Sequence, residues 1–223
     1  MNNLKIKIFS DGANVDDMIL ADKENSVDGF TTNPTLMAKA GITDYLAFAE
    51  EVLLHIKDKS ISFEVFSDEI DEMYNQAMTL KALGDNVYVK IPVTNTEQKY
   101  TYELVSKLSN EGVKLNVTAL FTKQHIDEVF NALNKSVPSI ISIFAGRAGD
   151  VGKDPVPEFV KSIKLAKKFK NVEILWASVR EPYNYLQAKQ LGCHIITVPP
   201  TIIEKIENFG KSFDQLTQET VKA

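Results

Sequence analysis

The sequence has little of several features that would assign a protein to a specialised class. One cysteine, Cys193, occurs among 223 residues, so no intrachain disulfide can form, which suits a reducing compartment. The net charge of -5 argues against wholesale binding of nucleic acid or an anionic membrane. No apolar run approaches a transmembrane span, and the start, MNNLKIKIFSDG, lacks the apolar core of a signal peptide. We therefore expect a cytoplasmic protein with no nucleic-acid or membrane partner.

Short β-rich runs alternate with longer amphipathic stretches along the chain. This alternation is typical of βαβ units with a parallel sheet, and eight such units in 223 residues predict an α/β protein with a closed (β/α)8 TIM barrel. The length fits a single domain over residues 1–223, with an extra C-terminal helix at about 209–223. The predicted strands are Leu4–Phe9, Gly29–Thr32, Ser60–Phe66, Val87–Val93, Leu115–Leu120, Ser139–Ala145, Val172–Ala177 and His194–Val198.

The fourth predicted strand, VYVKIPV, carries a lysine among apolar residues. In a barrel strand, side chains alternate between the lumen and the outer face that the helices cover. Val87, Val89 and Ile91 are alternate residues of the strand and therefore lie on one face of it. All three are apolar, so we expect that face to contact the helices. Lys90 then points into the lumen near the C-terminal end of its strand, where barrel enzymes have their active sites.

The same alternation predicts inward polar groups on four further strands. They are Asp11 on the first strand, Glu64 on the third, Asn116 and Thr118 on the fifth, and Ser178 and Arg180 at the end of the seventh. The alternation also turns Ala119 outward and puts Trp176 on the same face as Ser178. Such groups could form a buried hydrogen-bond network that only holds the barrel together. Their concentration at C-terminal strand ends favours chemistry instead.

This set of side chains suits the chemistry of a Schiff base. Partial burial favours the neutral form of a lysine amine, which is a nucleophile towards ketones and aldehydes. The resulting imine draws electrons from a neighbouring carbon–carbon bond and so permits its cleavage. Glu64 and Asp11 can supply the two groups that move protons in such a reaction. Asn116 and Thr118 can orient substrate hydroxyls or a catalytic water.

Two arginines follow the sixth and seventh predicted strands, near the place where barrels often bind phosphate. Arg147 lies in FAGRAGD and Arg180 in ASVR, and with Ser178 they could hold a phosphate by charge-assisted hydrogen bonds. Taken alone, each arginine is typical of a surface ion pair. Only 25 of 223 residues are Lys or Arg, so the pair at adjacent strand ends adds weight to a phosphate site.

Five segments, in order along nearly the whole chain, resemble the transaldolase family and especially its short members, which include fructose-6-phosphate aldolases. They are TTNPT (Thr31–Thr35), VKIPVT (Val89–Thr94), LNVTALF (Leu115–Phe121), FAGR (Phe144–Arg147) and ASVR (Ala177–Arg180). The resemblance implies a class I aldolase mechanism without metal or organic cofactor. It implies phosphorylated sugars as substrates, between which a dihydroxyacetone unit is transferred. It also implies a homo-oligomer, a pentamer or decamer.

The resemblance further implies a role for each matching residue. Lys90 matches the Schiff-base lysine and Asp11 the acid/base aspartate. Glu64 matches a glutamate that works through a catalytic water, which Thr118 holds. The substrate-binding positions implied in this way are Asn33, Asn116, Ser142, Phe144, Arg147, Ser178 and Arg180.

Two positions bear on which activity of the family to expect. Transaldolases resemble this chain in Glu64 and Phe144, whereas the fructose-6-phosphate aldolases carry glutamine and tyrosine there. Because phenylalanine cannot donate a hydrogen bond, this favours transfer over simple cleavage. Departures from the family pattern, DGAN (Asp11–Asn14) for DTAN and the TVPP of Thr197–Pro200, leave open a catalytically weak or substrate-shifted paralogue. A separate alternative, from outside enzyme chemistry, is a phosphosugar-binding barrel without turnover.

Overall fold

Eight parallel strands form a closed barrel in the computed structural model, which describes residues 5–223. Each strand pairs with the next along the chain, and β8 pairs with β1, so the sheet has no free edge. The prediction of a (β/α)8 barrel is therefore confirmed. Leu4, the first residue of the first predicted strand, lies outside the described residues. The strands are β1 (Lys7–Asp11), β2 (Gly29–Thr31), β3 (Ser60–Glu64), β4 (Val87–Pro92), β5 (Leu115–Leu120), β6 (Ser139–Phe144), β7 (Val172–Ala177) and β8 (Ile195–Val198).

Helices follow every strand and surround the barrel. They are α1 (Val15–Lys23), α2 (Pro34–Lys39), α3 (Tyr45–His55), α4 (Ile70–Ala82), α5 (Tyr102–Asn110), α6 (Lys123–Ala132), α7 (Ala145–Asp150), α8 (Val156–Ala166), α9 (Tyr183–Leu191), α10 (Pro200–Glu207) and α11 (Phe213–Lys222). The extra C-terminal helix is α11, which begins at Phe213 rather than near residue 209. Within residues 5–223, no helix combines the length and apolarity needed to cross a membrane.

Side-chain caps fix where several of these helices begin. Asn14, Asn33, Asp44 and Thr122 each accept a hydrogen bond from a backbone N–H three residues further on, at the start of α1, α2, α3 and α6. Such a cap satisfies a donor that the first helical turn leaves unpaired. The caps of α1, α2 and α6 end short loops after β1, β2 and β5, so they also fix the mouth of the barrel.

Two apolar layers lie on the two faces of the sheet. Val89 and Ile91 belong to the outer layer between strands and helices, where both are 0% exposed. Burial of one such side chain stabilises the fold by about 1.5–3 kcal/mol. A smaller cluster, consisting of Phe9, Ile140, Leu175, Ala177 and Ile195, fills the lumen. The alternation in β4 thus turns Lys90 into the lumen above an apolar floor.

The simple alternation fails at the end of β7. Trp176 stacks on Phe159 of α8, with ring centroids 4.5 Å apart, and so faces the helices. The prediction that Trp176 and Ser178 share a face is therefore wrong. Ser178 still lines the lumen because its φ of 63° breaks the strand geometry immediately after Ala177.

A second irregularity lies in β5. The register against β6 shifts between Val117 and Leu120, and Ala119 adopts a φ of 61°. As a result, Leu120 belongs to the outer layer while Ala119 lines the lumen cavity. Ala119 packs against the outer layer, as predicted, but it also lines the cavity, which the prediction missed because simple alternation does not hold across a bulge.

Candidate active site

A cavity of about 500 Å³ opens where the strands end, a volume within the range of small-molecule sites. All eleven residues singled out from the sequence line it. They are Asp11, Asn33, Glu64, Lys90, Asn116, Thr118, Ser142, Phe144, Arg147, Ser178 and Arg180. Thr31, Lys39 and Thr197 also line the cavity, although sequence reasoning did not single them out.

Lys90 is buried and paired. The residue is 6% exposed, and its Nζ lies 3.0 Å from Oε2 of Glu64 and donates to the carbonyl oxygen of Thr32 at 3.1 Å. Glu64 and Lys90 face each other because they are register partners in β3 and β4. The hydroxyl of Tyr45 donates to the carbonyl of Glu64 at 2.6 Å and holds the end of β3. An ammonium has three N–H donors, so one direction at Nζ is left towards the cavity.

Asp11 is the last residue of β1, which pairs with β2 and β8. The Thr31 hydroxyl donates to Asp11 Oδ1 at 2.7 Å, and the hydroxyl oxygens of Thr31 and Thr197 are 2.5 Å apart. Burial raises the pKa of Asp11, while the positive charge of Lys90 and the Thr31 hydrogen bond oppose this rise. A carboxyl with a raised pKa in a cleft is suited to acid–base work.

Asn116 joins three strands at the side of the cavity. Its Oδ1 accepts from the Ser142 hydroxyl at 2.6 Å, and its Nδ2 donates to the Ser62 hydroxyl oxygen at 3.0 Å. Two residues further along β5, the hydroxyl oxygen of Thr118 is buried and has no hydrogen-bond partner among the described residues. Leaving a buried hydroxyl unpaired costs about 1–3 kcal/mol, so Thr118 is a natural contact for a ligand or water.

The cationic side of the cavity is formed by α7 and the end of β7. The backbone N–H of Arg147 donates to the Ser178 hydroxyl oxygen at 3.2 Å. Arg180 binds Asp150 through two nitrogens, Nη2 to Oδ2 at 2.5 Å and Nε to Oδ1 at 3.1 Å. This hydrogen bonding lowers the pKa of Asp150 and raises the pKa of Arg180. A β-carbon on Gly146 would lie 1.7 Å from the Ser178 carbonyl oxygen, so only glycine permits this approach.

Arg147 and Arg180 are the only two arginines in the chain, and both line this cavity. That scarcity is a signal in the sequence that strengthens the case for a site binding an anion. Lys39, at the end of α2, is a further cationic side chain of the cavity wall besides the two arginines and Lys90. The sequence offers no reason to select Lys39, because it belongs to none of the motifs and lies on a helix, where the alternation of strand residues does not apply.

Asn33 and Phe144 complete the wall. Asn33 Oδ1 accepts from the backbone N–H of Leu36 at 3.0 Å, which orients the side chain and leaves its amide nitrogen for a ligand. The ring of Phe144 packs edge-on against Phe121, with centroids 5.9 Å apart. Among residues 5–223, no three His, Cys, Asp or Glu side chains are grouped so that they could hold a metal ion.

Solved structures with a similar overall shape share the barrel. KGPDC from Streptococcus mutans superposes with a TM-score of 0.60 at 12% identity, covering 89% of this chain and 90% of that one. A putative isomerase from Sinorhizobium meliloti gives a TM-score of 0.62 at 10% identity, covering 91% of this chain and 53% of that one. At such low identity, these matches show the fold alone.

Sequence comparison gives the family. Residues 8–223 match the family model described as Transaldolase/Fructose-6-phosphate aldolase. Proteins named probable transaldolase are similar: that of Thermoanaerobacter sp. (strain X514) is 36% identical, covering 89% of this chain and 88% of its own length. That of Thermoplasma volcanium is 35% identical, covering 96% and 93%, and that of Clostridium botulinum (strain Hall) is 37% identical, covering 94% and 97%. The chain therefore belongs to the transaldolase/fructose-6-phosphate aldolase family of enzymes.

Proposed function

We propose that this chain is a transaldolase that transfers a dihydroxyacetone unit between phosphorylated sugars through a Schiff base on Lys90. The observation that carries the proposal is the buried amine of Lys90, held 3.0 Å from the Glu64 carboxylate in a cavity that Asp11 also lines. The reaction is that of the pentose phosphate pathway. Sedoheptulose 7-phosphate and glyceraldehyde 3-phosphate give erythrose 4-phosphate and fructose 6-phosphate. The names of relatives at about 35% identity support this choice.

The proposed chemistry uses only side chains of this cavity. The neutral amine of Lys90 attacks the ketose carbonyl carbon, and the carbinolamine loses water to form an iminium, with Glu64 moving protons through a water near Thr118. The carbon–carbon bond beyond the neighbouring hydroxyl-bearing carbon then breaks, and its electron pair moves to the iminium as an enamine. Asp11 takes the hydroxyl proton of the departing aldehyde. Addition of the enamine to a second aldehyde reverses these steps.

Substrate binding follows from the polarity of the wall. Arg147, Arg180 and Ser178 form the end of the cavity suited to a phosphate, because guanidinium groups bind phosphate by charge-assisted hydrogen bonds. Asp150 occupies Nε and Nη2 of Arg180, so Nη1 is the nitrogen of Arg180 that is left for a phosphate. Asn33, whose Oδ1 accepts from the Leu36 N–H and whose amide nitrogen is left free, is placed to contact a sugar hydroxyl. Asn116, which gives one of its two amide N–H groups to Ser62, is placed to do the same with the other. In this binding mode, the substrate phosphate points towards α7 and its ketone group towards β4.

Simple cleavage in the manner of a fructose-6-phosphate aldolase is the second candidate. Against it, Phe144 presents a ring packed on Phe121 and no hydroxyl that could help to protonate a bound enamine. A substrate-shifted paralogue remains a further alternative, because Gly12 replaces the threonine of the usual first motif. A barrel that binds phosphosugars without turnover is the alternative from outside enzyme chemistry.

Borohydride trapping tests the proposal. Wild-type protein with fructose 6-phosphate and borohydride should gain one sugar adduct, mapped by peptide mass to Lys90, and Lys90→Met should gain none. Lys59→Met is the matched control, because Lys59 is also paired with a carboxylate, Asp22 at 3.1 Å, but lies outside the cavity. Absence of any adduct on Lys90 contradicts the Schiff base. If trapping succeeds and erythrose 4-phosphate does not accelerate turnover, aldol cleavage replaces transfer.

We propose in addition that the enzyme works in the cytoplasm as a homo-oligomer, a pentamer or decamer. The single cysteine supports the compartment. The apolar side chains that α11 leaves exposed, Phe213 at 87% and Val221 at 81%, support self-association.

A further inference from the structure

Three side chains from adjacent strands form a continuous hydrogen-bonded chain in the cavity that Lys90 also lines. Asp11 on β1 accepts from Thr31 on β2 at 2.7 Å, and Thr31 lies 2.5 Å from the hydroxyl of Thr197 on β8. Thr31 is 2% exposed and Thr197 6% exposed, so water competes little for these bonds. Because β1 pairs with both β2 and β8, the closure of the barrel itself brings the three together.

The direction of this chain follows from the number of protons available. An ionised carboxylate can only accept, so the single hydroxyl proton of Thr31 goes to Asp11 Oδ1. Thr31 then has no proton to give to Thr197, and the Thr197 hydroxyl must donate to Thr31. Successive hydroxyl donors polarise one another, which strengthens the final bond to the carboxylate.

The chain leaves one oxygen of Asp11 free for a reaction. Oδ1 is occupied by Thr31, whereas Oδ2 has no hydrogen-bond partner among residues 5–223, and Asp11 lines the cavity. The next residue, Gly12, has no side chain with which to donate. Thr31 is thus the side chain that sets the rotation of the Asp11 carboxyl group.

We propose that Thr31 and Thr197 are positioning residues that aim Asp11 Oδ2 at the substrate hydroxyl and keep Asp11 ionised until that hydroxyl gives up its proton. This inference rests on the proposed aldol chemistry, in which Asp11 is the base. In the step concerned, the substrate O–H bond breaks and a bond from the proton to Oδ2 forms. Thr31 and Thr197 keep their own protons and respond by weakening or strengthening their bonds.

Other charges act on Asp11 as well, and the test must hold them constant. Lys90 favours its ionised form, whereas burial opposes it. The further charged side chains that line the cavity are Glu64, Lys39, Arg147 and Arg180. Substituting only Thr31 or Thr197 leaves all of these in place, so a shift in pH dependence reports on the hydroxyl chain.

The experiment is the pH profile of kcat/KM for fructose 6-phosphate with erythrose 4-phosphate as acceptor. Thr31→Val keeps the shape but removes the donor, so the pKa of Asp11 should rise and the acidic limb should move to higher pH by about one pH unit. Thr197→Val should move it in the same direction by less. Thr31→Ser restores the hydroxyl and should restore the limb. Thr101→Val is the matched control, because Thr101 is a buried threonine whose hydroxyl donates to the Pro92 carbonyl outside the cavity.

The outcomes separate this inference from the proposed function. If the wild type forms no borohydride adduct on Lys90, the aldol chemistry fails and the positioning role fails with it. If the wild type forms the adduct and turns over, yet Thr31→Val keeps the wild-type limb, the positioning role alone is overturned. Equal loss of kcat in Thr31→Val and Thr31→Ser without a shift also overturns it. Should Thr31→Val not fold, an unmoved limb in Thr197→Val overturns it.

Discussion

The polar residues of the cavity differ in whether the protein already satisfies their hydrogen bonds. Asn116 is held on both sides, by Ser142 and Ser62, and so acts as a rigid part of the wall. The Thr118 hydroxyl has no partner within residues 5–223, and one direction at Lys90 Nζ is likewise free. Fixed groups beside unsatisfied ones make a preorganised site, because little reorganisation is needed when a ligand arrives.

The proposed phosphate-binding role of Arg147 and Arg180 leads to a prediction about substrate preference. Arg147→Ala and Arg180→Ala should each lower kcat/KM for fructose 6-phosphate, relative to unphosphorylated fructose, by about ten- to hundredfold. The reason is that a hydrogen bond to a charged group contributes about 1.5–3 kcal/mol. Initial rates with both ketoses measure this ratio. Lys189→Ala serves as the control, since it removes a cation from α9 outside the cavity. An equal loss for both ketoses would show that the arginines do not bind the phosphate.

At the scale of one strand, the sequence predicts Lys90 well for a physical reason. The β4 segment is regular, and its outward residues Val89 and Ile91 are both fully buried against the helices. Apolarity on one face then determines the other face. The same rule fails at Ala119 in β5 and at Ser178 just after β7, because both residues adopt positive φ without being glycine. Alanine and serine rarely adopt positive φ, so the residue types do not predict this backbone conformation.

Contacts between strands are harder still to predict. Thr31 and Thr197 are 166 residues apart in the chain and meet only because the barrel closes. Parity places each side chain on a face but gives no distance to a partner on another strand. Thr31 belongs to the TTNP segment and Thr197 to the TVPP segment. Neither segment indicates that the two threonines form one hydrogen-bonded chain with Asp11.

Gly146 gives a prediction for the contact between α7 and β7. Gly146→Ala should shift α7 away from Ser178, because the added β-carbon cannot sit 1.7 Å from a backbone oxygen. We expect a lower melting temperature and loss of the preference for phosphorylated over unphosphorylated ketose. Gly149→Ala in the same helix is the matched control. Its β-carbon meets nothing within 4 Å, so it should keep that preference and gain about 0.5–1 kcal/mol from helix propensity. Equal behaviour of the two variants would contradict the role given to Gly146.

In the molecule as a whole, the site is complete only when the barrel is closed. Residues that line the cavity come from the region of β1 as well as from β8, so no part of the chain holds the site alone. The cavity is nevertheless formed within a single chain. Catalysis and self-association can therefore be tested independently of each other.

The helix α11 gives the prediction for self-association. A capping box of Ser212 and Gln215 favours its first turn, yet no residue of the helix is buried. A free helix of ten residues is marginal in water, so α11 needs a packing partner for its apolar side chains Phe213, Leu216 and Val221. We expect light scattering of the wild type to give a multiple of 24.9 kDa that corresponds to a pentamer or decamer.

Replacing the apolar side chains of α11 should dissociate the assembly without removing the site. Phe213→Ser combined with Val221→Ser should lower the mass measured by light scattering, because the buried apolar area that holds the copies together is lost. Borohydride trapping at Lys90 should persist. Val160→Ser is the matched control: Val160 is 53% exposed on α8, and its loss should leave the mass unchanged. A wild-type mass equal to one chain would contradict self-association, and an unchanged mass in the double variant would place the contact elsewhere than α11.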